Sequence, residues 1–204
     1  MDCVRNSYNA ISDQWDELRS QTPVNPCIVD FAKRLPPNCR VLDVGCGTGY
    51  PISAYLAEQG FHVTGIDISE NMIEKAKRLH LPHAKFYVHD VLNFHPSEPY
   101  DAVIAFDSIW HIPHDQQANI YKVVSSLLNR GGYFLFTHGA CDGETTGTMF
   151  GQSFYYSSLD TQTVQRLLAQ QGFSILSFIE NYQEKNGARD LLVVACKDAA
   201  SPCG

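Results

Sequence analysis

The sequence predicts an α/β protein, doubly wound around a mostly parallel seven-stranded sheet that ends in an antiparallel hairpin. Three observations predict it. From residue 26 onward, apolar runs of strand length alternate with stretches of helical spacing. The first run, "RVLDVG" (40 to 45), enters a turn with glycine at 45, 47 and 49. The last two runs, "FSILSFIENY" and "RDLLVVACK", are joined only by "QEKNGA", whose Asn-Gly step is a hairpin signal.

The elements follow in order. After the first strand, "YPISAYLAEQG" (50 to 60) reads as a helix that Gly60 ends. "FHVTGID" (61 to 67) is the second strand, and Ser69 is the expected N-cap of a helix through "ENMIEKAKRLH". "AKFYVH" (84 to 89), "YDAVIAF" (100 to 106) and "GYFLFTH" (132 to 138) are three further strands, with a helix expected over 114 to 130. "GACDGETTGTMFGQSFYYSS" (139 to 158) has no clean period and reads as a long functional loop. "LDTQTVQRLLAQQG" (159 to 172) returns to helix, and "YNAISDQWDELRSQTP" near the start has helical spacing. The expected organisation is a helical cap over 1–25, one domain over 26–197 and a tail over 198–204.

With 204 residues, 44% of them hydrophobic, the chain is long enough for one domain with a substantial core. The formal charge of −7 leaves no basic excess to neutralise a phosphate backbone, so no nucleic-acid partner is expected. No apolar run approaches membrane-spanning length and no leader pattern opens the chain, which reads as a soluble cytoplasmic protein without a membrane partner. The seven cysteines form no Cys-x-x-Cys pair, and no metal site is expected.

A strand that enters a glycine turn and opens a helix brings backbone N–H groups close to a ligand. The dinucleotide pattern Gly-x-Gly-x-x-Gly is not met, because Tyr50 stands where it requires glycine. Asp43, two residues before Gly45, would repel a pyrophosphate and suits a partly cationic ligand. Asp67 closes the second strand 18 residues after Gly49, where a carboxylate can accept both hydroxyls of a ribose. "HDVLNF" then places Asp90 and Val91 at the same sheet edge, a carboxylate for an exocyclic amine and an apolar wall for a purine.

"VLDVGCGTG", "GIDIS" and "HDVLNF" in this order resemble the successive motifs of the class I S-adenosylmethionine-dependent methyltransferases, over about residues 26 to 197. The resemblance implies a Rossmann-like sheet with an inserted last strand and S-adenosylmethionine as cofactor. It implies that Gly45, Gly47 and Gly49 shape the loop under the methionine part and that Asp43 supports that loop or the methionine amine. Asp67 would bind ribose, Asp90 with Val91 would hold adenine, and Ile68 and Met72 would pack on its ring. Similar small methyltransferases fold an N-terminal aromatic segment over the cofactor, a part that would fall to Tyr8 and Trp15 in this chain.

"FDSIWHIPH" follows the fourth strand, where this family faces the transferred methyl group, so Phe106 and Ser108 are expected at the cofactor. His111 is the candidate general base, needed only for an acceptor that carries a proton, and His138 at the end of the fifth strand is a second catalytic candidate. Met149, Phe150, Phe154, Tyr155 and Tyr156 are expected to line the acceptor pocket. No Pro-Pro-Tyr signature or Pro-Cys nucleophile follows the fourth strand, which disfavours nucleic-acid bases as acceptors. The expected function is methyl transfer to a small molecule. The alternative is a regulatory protein that binds the cofactor without turning it over.

Overall fold

A computed structural model describes residues 2–185 and 187–199. The expected Asn-Gly turn at Asn186 and the tail from residue 200 lie outside the described residues. The helices are α1 (Asp2–Ser20), α2 (Pro26–Ala32), α3 (Ile52–Glu58), α4 (Glu70–Arg78), α5 (Asn119–Leu127) and α6 (Thr161–Gln170). The strands are β1 (Arg40–Val44), β2 (His62–Asp67), β3 (Ala84–Val88), β4 (Tyr100–Ala105), β5 (Leu128–His138), β6 (Gly143–Met149), β7 (Gln152–Ser158), β8 (Phe173–Glu184) and β9 (Gly187–Lys197).

Seven strands form one sheet in the order β3-β2-β1-β4-β5-β9-β8, and β6 with β7 forms a separate pair. The first five pair in parallel, whereas β9 runs antiparallel to both β5 and β8. This is the doubly wound, Rossmann-like sheet expected from the sequence, with the C-terminal hairpin inserted last. Strand side chains alternate between two buried layers because helices cover both faces. Val103, Phe134, Phe136 and Val193 pack with α5 and α6, while Ala102, Ile104, Leu135 and Leu192 pack with α2 and α3. The order reverses at β1, whose neighbours are β2 and β4, and a crevice opens there at the carboxyl ends of the strands.

Two expectations are corrected. Residues 139 to 158 are not an irregular loop but the hairpin β6–β7, turning at Phe150 and Gly151, both with positive φ. Its Thr, Tyr and Phe residues favour extended backbone, and Phe154, fully buried, gives the hairpin a partner surface under α1. The helix expected over 114 to 130 begins only at Asn119, and β5 starts at Leu128. Gln117 explains the late start: its buried Nε2 donates to the carbonyls of Ile109 and Ile112 and to Ser157 Oγ, which fixes the preceding residues in short turns. Among the described residues no helix is long and apolar enough to cross a membrane.

Gly65 on β2 has an extended backbone and serves packing. A Cβ there would meet the Phe86 ring at 2.5 Å and Cys46 Sγ at 2.8 Å. Gly65→Ala should therefore lower stability by about 1–3 kcal/mol through overpacking. The urea midpoint measures it, and an unchanged midpoint would show that Phe86 and Cys46 can yield.

Candidate functional site

The turn after β1 sets the geometry. The N–H groups of Gly45 and Cys46 both donate to the Ile66 carbonyl, at 2.8 and 3.0 Å, which ties the turn to the end of β2. Gly47 N–H donates to Asp67 Oδ2 at 3.0 Å, and Asp67 Oδ1 accepts from Ser69 N–H at 2.9 Å. Ser69 in turn caps α4 by accepting from Met72 N–H. Gly45 and Gly47 have φ of 72° and 55° in the left-handed region. A Cβ on Gly45 would lie 2.3 Å from that of Ser108, and one on Gly47 would lie 3.2 Å from Trp15 Nε1. Their bareness lets Ser108 and Trp15 pack close against the turn while both glycines still line the cavity.

A single cavity at the crevice gathers most of the expected residues. Asp43, Gly45 and Gly47 line its floor, Asp67, Ile68 and Met72 one side, and Asp90 and Val91 the end of that side. Phe106 and Ser108 line the opposite side, Tyr8 and Trp15 the roof, and His111 faces in from beside them. Gly49 and His138 are not brought there, nor are the aromatics expected to line an acceptor pocket: Met149, Phe154, Tyr155 and Tyr156 pack against α1 instead, and Phe150 is exposed at the hairpin turn. The missing Cβ of Gly49 makes room for Leu79 and Phe86 behind the turn. His138 is wholly buried, with Nδ1 at 2.9 Å from the Gly139 carbonyl and Nε2 at 3.1 Å from Gln117 Oε1, a packing position.

Burial shifts six titratable groups that line the cavity, raising the Tyr8 hydroxyl and the Cys46 thiol and lowering the Arg19 guanidinium among them. Burial pushes the Asp43 carboxyl up to about 6, against the opposing hydrogen bond that Ser53 Oγ donates at 2.6 Å. Burial likewise pushes Asp67 up to about 6, opposed by the N–H groups of Ser69 and Gly47. Burial lowers His111 to about 4, so its imidazole is neutral at physiological pH, opposed by its bond to the Tyr155 carbonyl. Asp90 Oδ1 accepts from Leu92 N–H and its Oδ2 from Asn93 Nδ2, both at 3.0 Å, which holds the carboxylate at the rim.

The sequence reading missed three charged residues. Arg19, one turn beyond Trp15 on α1, lines the cavity with its guanidinium over the Trp15 ring and no side-chain hydrogen bond or ion pair among the described residues. Asp107, also at the cavity, is gripped through both oxygens by Arg189 at 3.0 and 2.7 Å, and Arg189 also donates to Glu184 Oε1 at 2.8 Å. The spacing of Tyr8, Trp15 and Arg19 on one helix could have revealed Arg19. Nothing local could have joined Asp107 to Arg189.

An adenosyl sulfonium fits these donors and acceptors. Gly45 and Gly47 line the cavity, and the buried Ser108 Oγ has no partner among the described residues. Arg19 offers an unpaired cation for a carboxylate, and Asp67 keeps free lone pairs on both oxygens for hydroxyls. Residues 41–132 match the methyltransferase domain family. In fold and in the arrangement of its site the chain resembles the class I S-adenosylmethionine-dependent methyltransferases. It is similar to a ubiquinone biosynthesis O-methyltransferase of Xylella fastidiosa, 37% identical over 59% of this chain and 52% of the relative. It also resembles a probable thiol methyltransferase of Arabidopsis thaliana, 26% identical over 86% of this chain and 75% of the relative. Among solved structures, a Burkholderia thailandensis 1,6-didemethyltoxoflavin-N1-methyltransferase bound to S-adenosylhomocysteine superposes with a TM-score of 0.74 at 20% identity, covering 97% of this chain and 88% of that one. The chain spans about half the length of the first curated relatives it matches, 52% of the Xylella protein.

Asp43 yields a test of the site's electrostatics. Its folded-state value is raised, so its protonated form adds stability that is complete below pH 3.8 and lost as pH rises through about 6. Asp43→Asn removes this titration while keeping an acceptor for Ser53. The stability of wild type relative to Asp43→Asn should fall between pH 4 and pH 7 in urea titrations of the ligand-free protein. A difference independent of pH would show that Asp43 is solvated.

Proposed function

We propose that the protein transfers a methyl group from S-adenosylmethionine to a small-molecule acceptor. The observation that carries this reading is the cavity at the strand ends, roofed by α1, which gathers Asp43, Gly45, Gly47, Asp67 and Asp90 around one space. The Xylella relative is named for a small-molecule pathway, and the Burkholderia structure holds a small aromatic acceptor; both support the same class.

In this reading Asp67 accepts the ribose hydroxyls, Asp90 takes the adenine amine, and Val91, Ile68 and Met72 form its apolar walls. Gly45 and Gly47 let the methionine chain pass, Arg19 pairs with its carboxylate, and Asp43 acts from beneath through the turn. When bound, the cofactor supplies an electrophilic methyl on a sulfonium. The chain's own work is to align the acceptor, exclude water and accept a proton where the acceptor carries one. Residues 1–25 act as the cap: Ser7 Oγ donates to the Ser153 carbonyl at 2.7 Å on the hairpin side, and Asn9 Oδ1 accepts from Ser69 Oγ at 2.6 Å on the α4 side.

The direct test incubates the protein with methyl-labelled S-adenosylmethionine and a metabolite extract. Label is expected in a small-molecule fraction, and its absence there, with cofactor still bound, would favour a regulatory binder. Asp67→Ala should weaken S-adenosylhomocysteine binding by about 1.5–3 kcal/mol in calorimetry, from the loss of charge-assisted hydrogen bonds. An unchanged dissociation constant in the folded variant would remove Asp67 from the ribose site.

A further inference from the structure

The hydrogen bonds around His111 fix its tautomer. Nδ1 lies 2.7 Å from the Tyr155 carbonyl oxygen, which only accepts, so Nδ1 carries the proton. Nε2 lies 3.2 Å from Trp110 Nε1, an indole N–H that only donates, so Nε2 presents a lone pair. Tyr8 Oη stands 2.9 Å from that same lone pair and therefore donates its proton to it. Tyr8 and Trp110 thus cover the only basic atom of a residue that is 7% exposed, and Tyr8 also lines the cavity. His111 lines the same cavity, but its lone pair is engaged by Tyr8 and Trp110.

We propose that Tyr8 is a catalytic residue, the group that touches the acceptor, and that it relays the acceptor's proton to His111. The inference rests on the methyltransferase reading and narrows its substrate class to acceptors whose nucleophilic atom is a hydroxyl, of the phenol or enol kind. The acceptor oxygen forms its new bond to the methyl carbon, and the pair of the broken carbon–sulfur bond stays on sulfur. The hydroxyl proton passes to Tyr8 Oη while the proton of Tyr8 passes to His111 Nε2. Tyr8 ends neutral, His111 becomes an imidazolium whose Nδ1–H still donates to Tyr155, and the Trp110 contact gives way. The positive charge lost from the sulfonium reappears on the imidazole, so the net charge of the closed cavity does not change. The proton leaves to water when the cavity opens. Tyr8 is suited to the task because its ring is packed edge-on against Phe154, at 4.8 Å between centroids, and against Trp15 at 6.0 Å.

Two measurements test this. Ring-nitrogen NMR of histidine-labelled protein, without any cofactor, should show His111 protonated at Nδ1, with Nε2 hydrogen-bonded as an acceptor. Tyr8→Phe, which keeps the ring packing, should move the Nε2 signal toward that of a free lone pair and leave Nδ1 in place. A proton on Nε2, or an Nε2 signal indifferent to Tyr8→Phe, overturns the relay. In the second measurement, loaded enzyme is given catechol, which keeps its proton at mildly alkaline pH, and thiophenol, which has already lost it. Wild type should methylate catechol with a solvent deuterium isotope effect. Tyr8→Phe should lower the catechol-to-thiophenol rate ratio by about 100-fold, the scale of general acid–base catalysis. An unchanged ratio, or a wild type that does not methylate catechol, also overturns it. S-adenosylhomocysteine binding by the wild type reports separately on the cofactor reading.

Discussion

The site depends on the clasp between the turn after β1 and the end of β2. Gly45 and Cys46 share the Ile66 carbonyl, and Gly47 N–H reaches the Asp67 carboxylate. A side chain at 45 or 47 would disturb both the left-handed backbone and the approach of Ser108 or Trp15. From this clasp the rest is positioned in turn: Asp67 orients Ser69, Ser69 caps α4, and Asn9 of the roof binds Ser69. The roof helix is thereby registered on the same strand end that forms the cavity wall.

The cavity also holds groups in unfavourable ionisation environments. Asp43 and Asp67 are both pushed up to about 6, chiefly by burial. In the same space, among the described residues, Arg19 lacks a paired anion and the Ser108 hydroxyl lacks any partner. Such arrangements cost stability and are typical of functional sites, where the ligand supplies the missing partners. A ligand with cationic and anionic ends, hydroxyls and an apolar ring would relieve these costs together.

How much of this was legible in the sequence depended on how local the signal was. The strands, Ser69 as cap, and the triad of turn, Asp67 and Asp90 are short patterns set by backbone geometry. The hairpin β6–β7 was unreadable because its apolar side, Phe154 with Tyr8 and Trp15, is completed by residues more than a hundred positions away. The start of α5 was set by Gln117 bonding to the hairpin and to the turns before it, again a tertiary effect. Gly49 carries the same pattern as Gly45 and Gly47 but points into helix packing. His138 ends a strand as site residues do, yet the hairpin and Gln117 close over it. Arg189 reaches Asp107 across 82 residues, and no periodicity announces that contact.

The central claim is that the crevice at β1, roofed by α1 with the hairpin packed behind it, binds an adenosyl sulfonium cofactor. Hydrogen–deuterium exchange with and without S-adenosylhomocysteine tests it most directly, because it reads the turn, the strand ends and the roof at once. The account predicts added protection at residues 43 to 50, at 67 to 72, at 90 to 93, across α1 and across β6–β7, with β4 slow throughout and β8 unchanged. Protection confined to another surface, or a roof whose exchange ignores the ligand, would contradict it.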